Sequence, residues 1–531
     1  MSTTQARATA LQRPAFKAAL SVAAVVGAAL GAAAFGAGLA LVAVKFGGDA
    51  APYVLAGLPL GALFVVMVLR RPRWGVLAVF ATFPIGTVAL PSTPLEVVEA
   101  LAILVAVLLA LNRLAQGKTM FPWAAPLWWA LTLTGWSLVS LESAIDLDLG
   151  VRQILQLAGG LMFACVVVGV CTTMKELRWL VGSITAISAV IATIGLANAR
   201  RFDIELGGAV TEGRLTGTFN DPNQLGAFAA LTLFPAIGLI GGARTKAARA
   251  LAAIASAVIA GALLLSLSRG AWVGVGLGFV FLIVAMPEFR RSLLALGVPV
   301  LIVAVALGAF APDAPQVEVV GARLQSFTVL SPYDERDQIW AEGIREMRED
   351  PWTGVGPGSF PVASLRSASR TATVFAEHAH SIFFTWGAET GVPGLLLVIG
   401  FMASLYFVGR EAIRTARRRA RRRDRVIISG IAAGLVTVFG HGLLDYTLRN
   451  TVISLAVWSV IGAMLAAYRI QARAAAVEPA PPATDDPDRR ARRRQRQSSR
   501  RLPEQAGQSS RRLPEQDARS QDATPAVAAV G

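Results

Sequence analysis

The sequence predicts an all-α, polytopic membrane protein of about 12–14 transmembrane helices with one large helical extracytoplasmic loop. Hydrophobic residues make up 54% of the chain and charged residues only 16%, against about 25% charged in soluble proteins. Residues 18–44, 179–199 and 250–268 carry no charge at all. Runs of about 20 apolar residues without strict alternation cross a bilayer as helices. Lys and Arg collect between alternate apolar runs, which is the pattern of cytoplasmic loops.

In chain order the expected spans are 18–44, 53–69, 74–90, 98–111, 123–140, 154–172, 179–198, 225–241, 250–267, 271–286, 293–311, 393–409, 426–444 and 451–468. The first run is longer than a signal-peptide core and reads as an uncleaved anchor. With the N-terminus inside, the inside segments before the tail hold 24 basic residues and the short outside loops hold 7. The net charge of +16 therefore serves topology, and no nucleic-acid partner is expected. Cys165 and Cys171 share one apolar run and read as inert packing residues. Three segments follow: N-terminal spans (1–150), a second membrane domain (151–468) carrying the extracytoplasmic loop 312–392, and a tail (469–531). The tail holds the repeat QSSRRLPEQ at 497–505 and 508–516. It has too few large apolar residues to form a core, so a disordered, basic, cytoplasmic tail is expected. Its stretch 489–501 is suited to anionic headgroups or simply to solvent.

Chemistry-bearing residues crowd the outside. Loop 199–224 runs into GRLTGTFNDPNQLG (213–226), with Arg214, Asn220 and Asn223. Arg269 stands in SLSRG, at the outer junction of two apolar runs. There it either snorkels to the interface or, with Arg214, clamps a phosphate or diphosphate. Loop 312–392 predicts a helix from Asp334 to Glu349, with Ile339, Trp340, Ile344 and Met347 as its apolar side, ended by Pro351 and followed by GVGPGSF (354–360). Those glycines lack the strand and helix of a dinucleotide site. EHAHS (377–381) holds His378 and His380. These could share a cation, form a structural pair, or do acid–base work near neutral pH, and their spacing matches no standard zinc pattern. Asp146 and Asp148 form a D-x-D, a weak metal signal that reads better as solvated loop charge. His441, close to Asp445, reads as a packed polar pair within a span.

Four segments in this order, GRLTGTFNDPNQLG, SLSRGAW (266–272), ERDQIWAEGIREMREDPWTGVGPGSF (335–360) and HAHSIFFTWGAETGVPGL (378–395), resemble the O-antigen ligase / O-antigen polymerase superfamily of bacterial membrane glycosyltransferases. His380 precedes Gly391 by the ten intervening residues of the ligases' signature. The resemblance covers about residues 150–395, and its members have fewer spans than the fourteen read here. It implies an enzyme of the inner membrane with its active site facing the periplasm or cell exterior. The implied donor is an undecaprenyl-diphosphate-linked glycan. The implied acceptor is a hydroxyl of lipid A core, of another glycan or of a protein, and neither cofactor nor metal is implied. Arg214 and Arg269 would hold the diphosphate and His380 would serve as base or acceptor-orienting group, with Arg336, His378, Glu389, Asn220 and Asn223 in support. Glu389 would orient a histidine or cap the loop. The alternatives are a protein O-oligosaccharyltransferase and a non-enzymatic transporter of lipid-linked glycans. Transporters often show internal repeats and midplane polar residues. Here no span repeat is evident and the charged candidates gather at one face.

Overall fold

The computed structural model describes residues 50–85, 96–117, 124–198, 214–286, 336–371 and 376–477, all within one compact unit, Met1–Glu478. The expected spans at 18–44 and 293–311, and nearly all of the tail after 477, lie outside the described residues. The described residues contain no β-strand. They form α1 (Ala50–Arg70), α2 (Arg73–Ala81), α3 (Val97–Ala115), α4 (Ala125–Val139), α5 (Leu147–Val170), α6 (Met174–Asn198), α7 (Pro222–Gly242), α8 (Lys246–Leu265), α9 (Arg269–Ala285), α10 (Arg336–Glu349), α11 (Phe360–Thr371), α12 (Ile382–Arg418), α13 (Arg422–His441) and α14 (Thr451–Val477). Eight of these are long and apolar enough to cross a membrane: α3, α5, α6, α7, α8, α12, α13 and α14.

Side chains set several helix starts. Asp146, Asp221, Thr245 and Ser268 each accept a backbone N–H at the first turn of α5, α7, α8 and α9, satisfying donors that the helix itself leaves unpaired. Asp146, the first residue of the D-x-D, is thereby a helix cap, and Asp148 is exposed. Burial sorts the helices. The most apolar stretch of α14 is 94% buried and those of α7 and α13 are 78% buried, against 28% for α8. So α7, α13 and α14 form the centre and α8 faces outward. Small residues allow that centre to close. Gly270, Gly274 and Gly278 repeat every four residues along α9. A Cβ at Gly274 would lie 2.3 Å from the Thr437 carbonyl of α13, so the backbones meet directly.

α12 is longer than the expected span 393–409. It begins at Ile382 and is broken at Gly391, whose φ of 69° is left-handed, with Pro393 removing a further helix donor. The segment after the break is the expected span, and residues 382–390 form an outer arm on which the loop domain rests. Gly343 of α10 faces Phe384 and Ala379 of this region, and Trp340 packs on Phe384 with ring centroids 5.6 Å apart. The buried face of α10 is Ile339, Glu342, Gly343 and Glu346, turned from the expected apolar side because Gly343 is the point of closest approach. Two buried acids are tolerated because Arg345 lies 2.5 Å from Glu342 and 2.7 Å from Glu346.

Burial, with a hydrogen bond to Glu342, raises the Glu346 carboxyl to about 7 against the opposing pull of Arg345. The fold therefore binds a proton that the unfolded chain releases near the ordinary carboxylate value. That stabilisation is present at low pH and is lost as pH rises toward about 7, so α10 loosens with alkalinity. Protection of α10 amides, as exchange relative to the intrinsic rate at each pH, should fall as pH rises through about 7, and Glu346→Gln should flatten that fall. An unaltered slope in the variant would contradict the assignment.

The helices alternate in direction, so the basic clusters 70–73, 175–178, 244–249 and 410–425 fall at the ends opposite Arg214, Arg269 and His380. Exposed Asp337, replaced by cysteine, is expected to react with a membrane-impermeant thiol reagent in intact cells. A cysteine at Ser498 is expected not to. Reversed labelling would overturn the orientation.

Candidate functional site

α7, α9, α12 and α14 all begin at one end of the bundle, where α13 finishes. Their starts are tied together. A Cβ on Gly226 of α7 would lie 2.8 Å from Ser268 Cβ at the start of α9. The Ile382 N–H donates to the Gly442 carbonyl at 2.7 Å. Asn450, which caps α14, donates its side-chain amide to Gln224 Oε1 at 3.0 Å. Helix N-termini carry partial positive charge, and here Asp221, Ser268 and Asn450 already cap α7, α9 and α14, so any preference of this end for an anion must come from its side chains.

Two arginines supply that preference. Arg214 Nε donates to the Ser266 carbonyl at 3.0 Å, and Nη2 donates to Asn223 Oδ1 at 2.8 Å. Asn223 N in turn donates to the Asp221 carboxylate at 2.5 Å. Arg214 is thus braced by both turns that the motifs encode. Burial lowers its pKa, the charges of Asp221 and Asp445 oppose this, and the positive charges of Arg269 and Arg336 add to it. The guanidinium remains charged, and Arg214, Arg269 and Arg336 share one field. Arg269 is the half-buried first residue of α9. Asn220 is exposed and makes no hydrogen bond to this cluster among the described residues.

The chain's three histidines gather beside them. Asp445, buried in the α13–α14 connection, accepts His378 Nε2 at 3.0 Å and His380 Nδ1 at 3.1 Å on the same oxygen, with the Tyr446 N–H at 2.8 Å. The two imidazole centroids are 4.3 Å apart. Burial pushes the Asp445 carboxyl up, but the bonds from His378 and His380 and the charges of His378 and His441 outweigh it and hold it well below the usual range. The three donor atoms lie within 4.8 Å of one another, a spacing that would admit a cation. Hydrogen bonds account for the same geometry. The guanidinium of Arg449 donates to the Glu377 carbonyl and pins the histidine loop from the other side.

Strain marks both halves. Among the described non-glycine residues only Leu267, His380 and Ala420 have positive φ, at 52°, 45° and 53°. Leu267 lies between the Arg214 anchor and Arg269, and His380 is itself a candidate residue. Such conformations cost about 1–3 kcal/mol each and collect at functional sites.

His441 and Asp445 are packed together, the Asp445 N–H donating to the His441 carbonyl at 3.1 Å, while the His441 ring turns its Nε2 to Ser268 Oγ at 3.4 Å. Glu389 does not orient a histidine. It is fully buried and accepts Gln153 Nε2 at 2.8 Å. It lies beside the glycine loop, near Gly358 and Phe360. That loop is packed against the break in α12: Val355 N donates to Ala388 O at 2.9 Å and Val392 N to Pro351 O at 2.8 Å. A Cβ at Gly391 would fall 2.3 Å from the Trp352 carbonyl, so the glycine ten residues past His380 is needed for docking. Sequence reasoning missed Asp445 as the hub. Its one local signal was the His441–Asp445 spacing of a single helical turn.

A family model described as O-antigen ligase matches residues 254–399, the segment carrying Arg269, Arg336, His378, His380, Glu389 and Gly391. No curated protein matches the chain. Three solved chains match. One, from "Structural coordination of polymerization and crosslinking by a peptidoglycan synthase complex", is 20% identical, covers 65% of this chain and 96% of its own, and has a TM-score of 0.38. That family match lies over the strained turn of Arg269 and the histidine loop, so residues 254–399 of this chain are similar to the O-antigen ligase family.

Proposed function

We propose that the protein transfers a glycan from an undecaprenyl-diphosphate donor to an acceptor hydroxyl in surface polysaccharide assembly, without metal, at the outer face of the inner membrane. The observation that carries this reading is the convergence of two arginines with a carboxylate-held histidine pair at one end of the bundle. The acceptor oxygen attacks the anomeric carbon, the anomeric C–O bond breaks, and the electron pair leaves with the diphosphate. Arg214 and Arg269 stabilise the charge that develops there. The acceptor proton goes to His380. Its Nδ1 is engaged by Asp445, which leaves Nε2 as the receiving atom, and Asp445 stabilises the imidazolium that forms. His380 is the more open of the pair, its side chain 28% exposed against 19% for His378, so it is the one assigned to the acceptor. Arg336, Asn223 and His378 hold this arrangement, and Glu389 holds the loop above it. Asn220 stays a candidate for donor contact through its exposure alone.

The test is purified full-length protein in nanodiscs with a fluorescent undecaprenyl-diphosphate glycan and a panel of acceptors: lipid A core, a lipid-linked glycan and a serine-containing peptide. Joining of the glycan to one of them, unchanged by chelator, is expected. Flipping of the donor without joining would support the transporter instead. Loss of transfer with chelator, restored by a divalent cation, would overturn the metal-free mechanism.

A further inference from the structure

Among the groups near the site, His441 has no part in the steps above, yet it lies between the two halves of the machinery. It ends α13, is fully buried, and its Nδ1 meets no hydrogen-bond partner among the described residues. Its Nε2 lies 3.4 Å from the hydroxyl of Ser268. Ser268 is 1% exposed and caps α9, accepting the Ala271 N–H on the same oxygen. A Cβ at Gly270 would stand 2.7 Å from the His441 ring, so the imidazole is seated directly on the first turn of α9. Across it runs the turn Ser266–Leu267–Ser268–Arg269. The Ser266 carbonyl holds Arg214, Leu267 is strained at φ 52°, and Arg269 opens the helix. An apolar side chain would fill the same space without leaving a ring nitrogen unpaired in the interior. Among the described residues, the one polar contact of the ring is with Ser268.

We infer that His441 is a positioning residue for the anion site: through Ser268 it fixes the strained turn that aims Arg269 and, through Ser266, Arg214. This rests on the reading of those arginines as the diphosphate site.

The test measures binding of undecaprenyl diphosphate, carrying no glycan, to full-length protein in nanodiscs. His441→Leu and Ser268→Ala should each weaken binding about tenfold. The double variant should weaken it no more than the stronger single change, because both remove one interaction. His441→Gln, which keeps an amide donor, should recover most of the affinity. In transfer assays the donor KM should rise while the acceptor KM holds, a split that loosened packing would not produce. If His441→Leu fails to fold, Ser268→Ala and His441→Gln still carry the comparison. Additive losses, or unchanged binding in every variant, would overturn the inference while leaving the diphosphate site standing. If the wild type itself binds no undecaprenyl diphosphate, the reading of the arginines falls, and this role of His441 falls with it.

Discussion

Arg214→Lys and Arg269→Lys are each expected to slow glycan transfer by about 10²–10³-fold while the protein stays folded in the membrane. Lysine keeps the charge but loses the planar fork, so it cannot brace and bind together. At Arg214 the fork is already committed: Nε grips the Ser266 carbonyl and Nη2 grips Asn223. One ammonium cannot replace both bonds and still face a phosphate oxygen. Arg269 differs in origin, since its direction comes from the strained turn before α9, and its substitution should act on the donor alone. Steady-state transfer and donor binding, measured on both variants, check this. Near-normal turnover in both would reduce the arginines to interfacial anchors.

His380→Ala is expected to lower transfer by about 10²–10⁴-fold with donor binding intact. The imidazole takes the acceptor proton, whereas the donor is held by the arginines. Asp445→Asn should fall nearly as far, and the double variant little further, because groups acting as a unit are not additive. His378→Ala should cost less. Depression of the Asp445 carboxyl fixes the sign of its pH behaviour. Its charge is present at every pH above the usual carboxylate value and is lost only as pH falls through the lower, folded-state value. Any decline in transfer on mild acidification therefore does not arise from Asp445. Full activity in His380→Ala with loss in His378→Ala would exchange the two roles.

Much of this was legible in the chain. Charge-free runs and alternating arginines gave the helices and their directions, and α10 was found within two residues of its start. The turn motifs around Arg214 and Arg269 and the histidine loop were visible as polar islands between apolar runs. What stayed hidden depended on partners distant in sequence. Asp445 meets His380 across 65 positions and Glu389 meets Gln153 across 236; no local period announces either. Glu342 and Glu346 defeat a helix-face reading because acids are assigned to solvent, whereas Arg345 between them makes their burial tolerable. The outer arm 382–390 was hidden because Gly391 and Pro393 mark the start of the span, and nothing local shows that a further helical segment precedes the break at Gly391.

The most direct measurement follows one oxygen atom. A donor is prepared with oxygen-18 bridging the anomeric carbon and the diphosphate, and is turned over by the purified protein alone with its acceptor. Cleavage of the anomeric C–O bond predicts that all of the label appears in undecaprenyl diphosphate, released in a one-to-one ratio with glycan joined. Label in the glycan product, or recovery of the donor unbroken on the opposite face of the membrane, would contradict the account.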